Sequence, residues 1–348
     1  MSLRILKAEQ ASWQSVLRES FTNAHTLLAH LGFAPDHPLV QNALESTGGF
    51  PLRVPRPFAA RMRRGDPSDP LLLQVLARQE ELLPGGAGFA LDPVGDEAAR
   101  KAPGVLSKYR GRALLVVTGA CAIHCRYCFR RHYPYQADAG LSSGASQGIA
   151  WIAANPDIRE VILSGGDPLL LPDATLADLL ARLEAIPHLT RIRWHTRTPV
   201  VIPERVTEGW LDLLHGGRLR HWVVLHINHP QELDPPTLRA LGAIADAGAA
   251  LLNQAVLLKG INDEVETQVA LSEILLDHRI APYYLHLLDR VAGAAHFEVA
   301  EEQAQALLEA MRSQLPGYGV PRLVREVTGA PFKVPVETVS SGSTPHNR

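Results

Sequence analysis

The stretch Arg112-Ala-Leu-Leu-Val-Val-Thr-Gly-Ala-Cys121-Ala-Ile-His-Cys125-Arg-Tyr-Cys128 decides how this chain is read. An apolar run with strand composition, Ala113–Val117, leads directly into three cysteines within eight residues. These are the only 3 cysteines in the 348-residue sequence. An odd number in one place argues against a disulfide framework and points to a reduced, cytoplasmic metalloprotein. Three thiolates on one tight loop can hold three corners of an iron–sulfur cube. No fourth cysteine covers the fourth iron, and an open position is what a catalytic metal centre needs to bind a substrate or cofactor. The rival is structural zinc with His124 as fourth ligand. Zinc sites usually pair two short Cys/His clusters far apart in sequence, and no second cluster is evident.

Working outward, short apolar runs alternate with amphipathic helical patterns, which predicts a parallel sheet with helical crossovers. Six runs read as strands: Ala113–Val117, Glu160–Leu163, Thr190–Trp194, Trp222–Ile227, Leu251–Leu257 and Tyr283–Leu288. Asp173 is expected to cap a helix with the face Leu176, Leu179, Leu180, Leu183. A second helical face is Val206, Trp210, Leu213, Leu214, stopped by Gly216-Gly217. A third is Leu238, Leu241, Ala245, stopped by Gly248. Six β/α units fall short of the eight of a closed barrel, so the expected fold is α/β, a partial (β/α)6 TIM-type barrel with its site at the strand C-terminal ends. A doubly wound open sheet competes, but no Gly-x-Gly-x-x-Gly opens a helix.

Before the barrel, residues 1–100 read as a helical extension. Trp13, Val16, Leu17 and Phe21, then Leu27, Leu28 and Leu31, recur at helical spacing. The Pro- and Arg-rich stretch 51–70 reads as irregular, and a further helix is expected over Leu71–Leu83. The barrel is assigned to 101–336 and a polar tail to 337–348. Hydrophobic residues make up 46% and charged residues 20%, enough for a sizeable core. The net charge of -2 excludes binding to nucleic acid by bulk charge. No apolar run reaches the ~18 residues that span a membrane, and no secretory signal opens the chain.

The Cys-x3-Cys-x2-Cys spacing, with aromatic Tyr127 before the last cysteine, resembles the cluster motif of the radical S-adenosylmethionine enzymes. The second run ends in Ser164-Gly165-Gly166-Asp167, similar to that superfamily's Gly-Gly-Glu/Asp loop for the methionine amino group. Further pieces resemble the lysine 2,3-aminomutases in order. They are Tyr109 and Arg112, Arg130-Arg131, Arg197-Thr-Pro-Val-Val-Ile-Pro, His226-Ile-Asn-His-Pro, Asn253-Gln254 through Asp263, Pro282-Tyr-Tyr, and Pro321 through Lys333-Val-Pro-Val336.

The resemblance implies a 4Fe–4S cluster on Cys121, Cys125 and Cys128, with S-adenosylmethionine and pyridoxal 5'-phosphate as further cofactors. By it, Lys333 carries pyridoxal phosphate and is surrounded by Lys108, Tyr109 and Arg112. Ser164, Gly165, Gly166, Asp167, His226 and Gln254 contact S-adenosylmethionine. Arg130 holds the carboxylate of substrate L-lysine, and Asp289 and Glu326 hold its distal ammonium. An external electron donor is implied as well. Glu326 and Lys108 stand where the lysine aminomutases carry Asp and Arg, which puts the depth of the ammonium pocket in question. The larger aminomutases continue past this lysine segment, so their assembly is not carried over. The chain length and the segment Cys125–Tyr135 resemble the branch whose (R)-β-lysine product a ligase attaches to elongation factor P. An aminomutase acting on arginine, and a non-catalytic iron–sulfur or zinc scaffold, stand as alternatives.

Overall fold

The computed structural model describes residues 12–44, 46–47, 49–135 and 144–336. The expected polar tail, 337–348, lies outside the described residues.

The sheet forms in chain order. Strands β3 (Arg100–Ala102) and β4 (Val105–Leu106) make a short antiparallel ribbon beside β5 (Arg112–Thr118). Then come β6 (Glu160–Gly165), β7 (Arg191–Thr196), β8 (Arg220–His226), β9 (Ala250–Val256), β10 (Ile280–His286) and β11 (Arg322–Arg325), each parallel to its predecessor. A last strand, β12 (Val334–Pro335), returns antiparallel to β11. The hydrogen-bonded order is β12-β11-β10-β9-β8-β7-β6-β5-β4-β3, and β12 does not pair with β3. The architecture is therefore an open α/β sheet and not a closed barrel. The remaining strands, β1 (Ser46–Thr47) and β2 (Phe50–Pro51), form a separate hairpin.

The six expected runs are all strands. β11 is a seventh parallel strand that the sequence reading passed over, because four residues with an arginine at each end carry no apolar signature. Helices cross between the strands, and each buries the face its spacing dictates. In the helix Asp173–Glu184, Leu176, Leu179, Leu180 and Leu183 are buried. Two local expectations need correction. Asp173 is not the cap: Pro172 holds that position, and the Asp173 carboxylate instead accepts from Thr207 Oγ1 and pairs with Arg205. The Leu71–Leu83 helix shrinks to Pro70–Leu73 plus a 3-10 turn at Gln79–Leu82. Gln74 ends it, because its buried side chain is drawn into a polar cluster with Glu232, Arg197 and Asn228.

The extension holds the helices Trp13–Arg18, Ala24–His30, Pro38–Gln41 and Arg56–Ala59. It packs on the loops at the strand ends of the sheet. Leu27, Leu28, Phe58, Leu71 and Leu72 share one core with Ala122 and Ile123 of the cysteine loop and with Val201 and Ile202.

Candidate active site

A cavity of about 330 Å³ opens at the C-terminal ends of the parallel strands. Leu114 on β5 and Lys333 just before β12 both line it, so the open sheet curls far enough for its two halves to face one space. The inner face follows the strand period of two: Ile162 and Ser164, Arg193 and His195, Gln254 and Val256, Tyr284 and His286 all point inward. Every residue to which the resemblance gives a metal, cofactor or substrate role lines this cavity: Cys121, Cys125, Cys128, Lys108, Tyr109, Arg112, Arg130, Ser164, Gly165, Gly166, Asp167, His226, Gln254, Asp289, Glu326 and Lys333.

The cysteine loop is fixed from behind by the extension. His124 N–H donates to Arg53 O and Arg126 N–H to Gln74 O. The fully buried Arg126 guanidinium donates to Glu81, which also pairs with Arg131. Arg131 is thus an anchor and not a solvated charge. His124 faces away from the sulfurs, with Nδ1 against Pro51 O at 2.8 Å and its ring stacked on Phe50. Among the described residues, no three His, Cys, Asp or Glu side chains converge on a point where one ion would sit. A single-ion zinc site with His124 is not formed. Three sulfurs that each serve a different iron need no such point. Burial, reinforced by the neighbouring thiols, pushes Cys128 up to about 11 and Cys121 well above its ordinary value. Such thiols shed their protons when a cation binds them.

The Gly-Gly-Asp loop lies on the cysteine loop. Gly166 N–H donates to Thr118 O at 2.7 Å and Asp167 N–H to Ala120 O at 2.8 Å. A Cβ on Gly166 would sit 2.2 Å from Ala120 O, and Gly165 has φ +112°. Both positions demand glycine. The Asp167 carboxylate accepts from Leu169 N–H, Thr196 Oγ1, Arg197 N–H and Thr198 N–H. Those four bonds use up its acceptor capacity. What this loop offers a ligand is therefore backbone.

The rest of the cavity is a charged lattice. Lys333 Nζ donates to Glu326 Oε2 at 2.7 Å, and Tyr109 Oη donates to Glu326 Oε1 at 2.6 Å. Burial would push the Glu326 carboxyl up, but Lys333, Tyr109 and Lys108 outweigh it and hold it below the usual carboxylate value. Lys108 Nζ lies 2.7 Å from Asp96 Oδ1, and Arg130 Nε donates to Asp96 Oδ2 at 2.6 Å. Arg112 stacks over the Tyr109 ring. Asp289 is raised to about 6, chiefly by burial, with Lys333 opposing and Glu326 adding to the rise. His226 packs on Tyr127, and burial with Arg197 nearby lowers it to about 3. His195 and His286 are likewise kept neutral by burial, and His195 Nε2 is buried without a hydrogen-bond partner.

Sequence reasoning missed Asp96, Arg197, His195 and His286 as members of the site. The two histidines carried a usable signal, since each lies two residues beyond another inward position on its strand. Asp96 carried none, because it sits on an irregular loop.

The Radical SAM superfamily model matches residues 115–267, from β5 into the helix Val265–Asp277. The likeness to curated proteins extends much further. L-lysine 2,3-aminomutase of Haemophilus influenzae is 42% identical over 93% of this chain and 95% of its own length. The Escherichia coli protein of the same name is 42% identical over 93% and 94%. That of Clostridium subterminale is 36% identical over 78% and 65%. The chain belongs to the lysine 2,3-aminomutase family of radical SAM proteins, and it is an isomerase of that type.

Proposed function

We propose that the chain is a lysine 2,3-aminomutase that converts L-lysine to (R)-β-lysine. The observation that carries this reading is that three cysteines and one lysine–carboxylate cluster, 205 positions apart from Cys128 to Lys333 (333 − 128), line the same cavity. The donor set fits a 4Fe–4S cluster, which Cys121, Cys125 and Cys128 would hold, and Gln254 and His226 on the same cavity would contact S-adenosylmethionine. The amine of Lys333, with Lys108 and Arg112 as cations, fits pyridoxal phosphate. The unpartnered His195 Nε2 supports a polar group in that space. When bound, these groups supply the radical and the ring that lets an amino group migrate between adjacent carbons.

The chain's own residues bind and orient. Arg130 presents its Nη atoms to the substrate carboxylate while Asp96 holds Nε. Asp289 receives the ε-ammonium, whose charge favours the ionised carboxyl. Glu326 keeps Lys333 at the cavity wall. Fixing both substrate ends decides which carbon faces the radical source. The walls of His226, His195, His286 and Tyr127 exclude water without adding charge. Three further readings are proposed with it: a cytoplasmic setting with an external electron donor, an N-terminal extension over residues 1–100 that precedes the sheet in the chain and packs with it as one unit, and a product used by a ligase to modify elongation factor P. Among the described residues no helix is long and apolar enough to cross a membrane.

The test is anaerobic turnover of the reconstituted chain with L-lysine, S-adenosylmethionine, pyridoxal phosphate and dithionite, with chiral separation of products. (R)-β-lysine from the wild type and none from Lys333→Ala supports the proposal. Deoxyadenosine released without β-lysine means a different substrate, with arginine the next to try.

A further inference from the structure

The Arg197-Thr-Pro segment follows β7, and its arginine is buried against the cysteine loop. Arg197 Nη1 donates to Cys125 Sγ at 2.7 Å and to Tyr127 Oη at 2.8 Å. Its Nη2 donates to Gln74 Oε1 at 2.7 Å and Glu232 Oε2 at 2.9 Å. The other Glu232 oxygen accepts from the N–H groups of Asn228 and His229 and from Gln74 Nε2. The side chains of Arg197 and Glu232 are 7% and 0% exposed. A full positive charge on a sulfur, and a full negative charge directly behind it, are thus both held out of water.

Holding the loop does not require this pair, because Arg126, Glu81 and backbone bonds already fix it. Burying two charges is costly and of doubtful net benefit to stability. The pair does act on charge at Cys125. A sulfur can accept a hydrogen bond while it ligates iron, and hydrogen bonds and net charge near the sulfurs set a cluster's reduction potential. Reduction adds a negative charge, which a guanidinium on the sulfur favours and a carboxylate behind it opposes.

We propose that Arg197 and Glu232 set the reduction potential of the cluster through Cys125, Arg197 raising it and Glu232 lowering it. The proposal rests on the cluster reading above. Both are positioning residues, since of these three side chains Cys125 alone would meet the iron.

The experiment is a redox titration of the reconstituted chain followed by electron paramagnetic resonance, without substrate or turnover, with iron and sulfide measured in every sample. Glu232→Gln keeps the size and an accepting oxygen. At a fixed poise its ratio of reduced to oxidised cluster should rise at least tenfold, which is 59 mV for one electron. Arg197→Gln keeps a donor without the charge and should move at least tenfold the other way. Arg197→Lys keeps the charge and should shift less. Should Arg197→Gln not fold, Glu232→Gln decides by itself. Loaded Glu232→Gln or Arg197→Gln that titrates within threefold of wild type, or that moves opposite to the stated direction, overturns the proposal and leaves the pair a structural one. A wild-type chain that takes up no iron or sulfide overturns the cluster reading, and the proposal with it.

Discussion

At the scale of single residues, the two carboxyls near Lys333 are held in opposite directions. Glu326 is ionised through direct contact with Lys333, whereas burial raises Asp289 from 3.8 to about 6 among Lys333, Glu326, Lys108 and Asp96. Between roughly pH 4 and 6 the native protein therefore holds a proton at Asp289 that the unfolded chain has lost, so this residue's contribution to stability falls as pH rises through that window. An ionised Asp289 is what an incoming ammonium needs. We expect kcat/KM for lysine to fall about tenfold per unit below pH 6, and a pH–rate profile of Asp289→Asn to lack that limb as well as most of the affinity. Asp96 predicts a second outcome. Burial would raise it, but Arg130 and Lys108 hold it below the ordinary value, so it stays charged and aims both cations. Asp96→Asn removes charge-assisted bonds that each contribute about 1.5–3 kcal/mol. Steady-state kinetics should show kcat/KM lowered roughly 10- to 150-fold, with the loss mainly in KM. The cysteines were legible in the sequence because their chemistry is local. Asp96 was not, since its role exists only where a loop meets two distant cations.

At the scale of elements, the parallel strands were legible because their buried centres read as short apolar runs, as Val161–Leu163 and Val223–Leu225 do. β11 failed that test by being short and flanked by arginines. The Leu71–Leu83 helix failed for the opposite reason: its local pattern was helical, and a tertiary polar cluster took Gln74 away. The junction of β6 with the cysteine loop is the element on which the site depends most. Gly166→Ala would force a Cβ into Ala120 O, with no flexible side chain to yield. Backbone strain of this kind costs about 1–3 kcal/mol. Denaturant unfolding should show that loss, and iron content per chain should drop, since the displaced strand end carries Cys121. A variant that keeps full iron and stability would show that the two loops are not coupled.

At the scale of the whole molecule, the open sheet leaves the cysteine loop without a closing strand, and the N-terminal extension covers it instead. Phe58, Leu28 and Leu72 are fully buried in the same core as Ile123, and Arg61 reaches from the extension to Val200 O and to Thr237. Helical spacing disclosed that the extension had an apolar face, but not that this face was the floor of the cluster site. Because this core joins the extension to the loops that carry the cysteines and follow β7, the extension and the sheet should unfold together. Leu28→Ala, which sits far from the cavity in sequence, removes buried methylenes at a cost of about 2–5 kcal/mol. The expected result is a single denaturation transition, moved to lower denaturant, that coincides when followed by far-ultraviolet dichroism and by cluster absorbance. Two separated transitions, with cluster absorbance surviving the first, would mean that the extension is an independent unit and that the cysteine loop is held by the sheet alone.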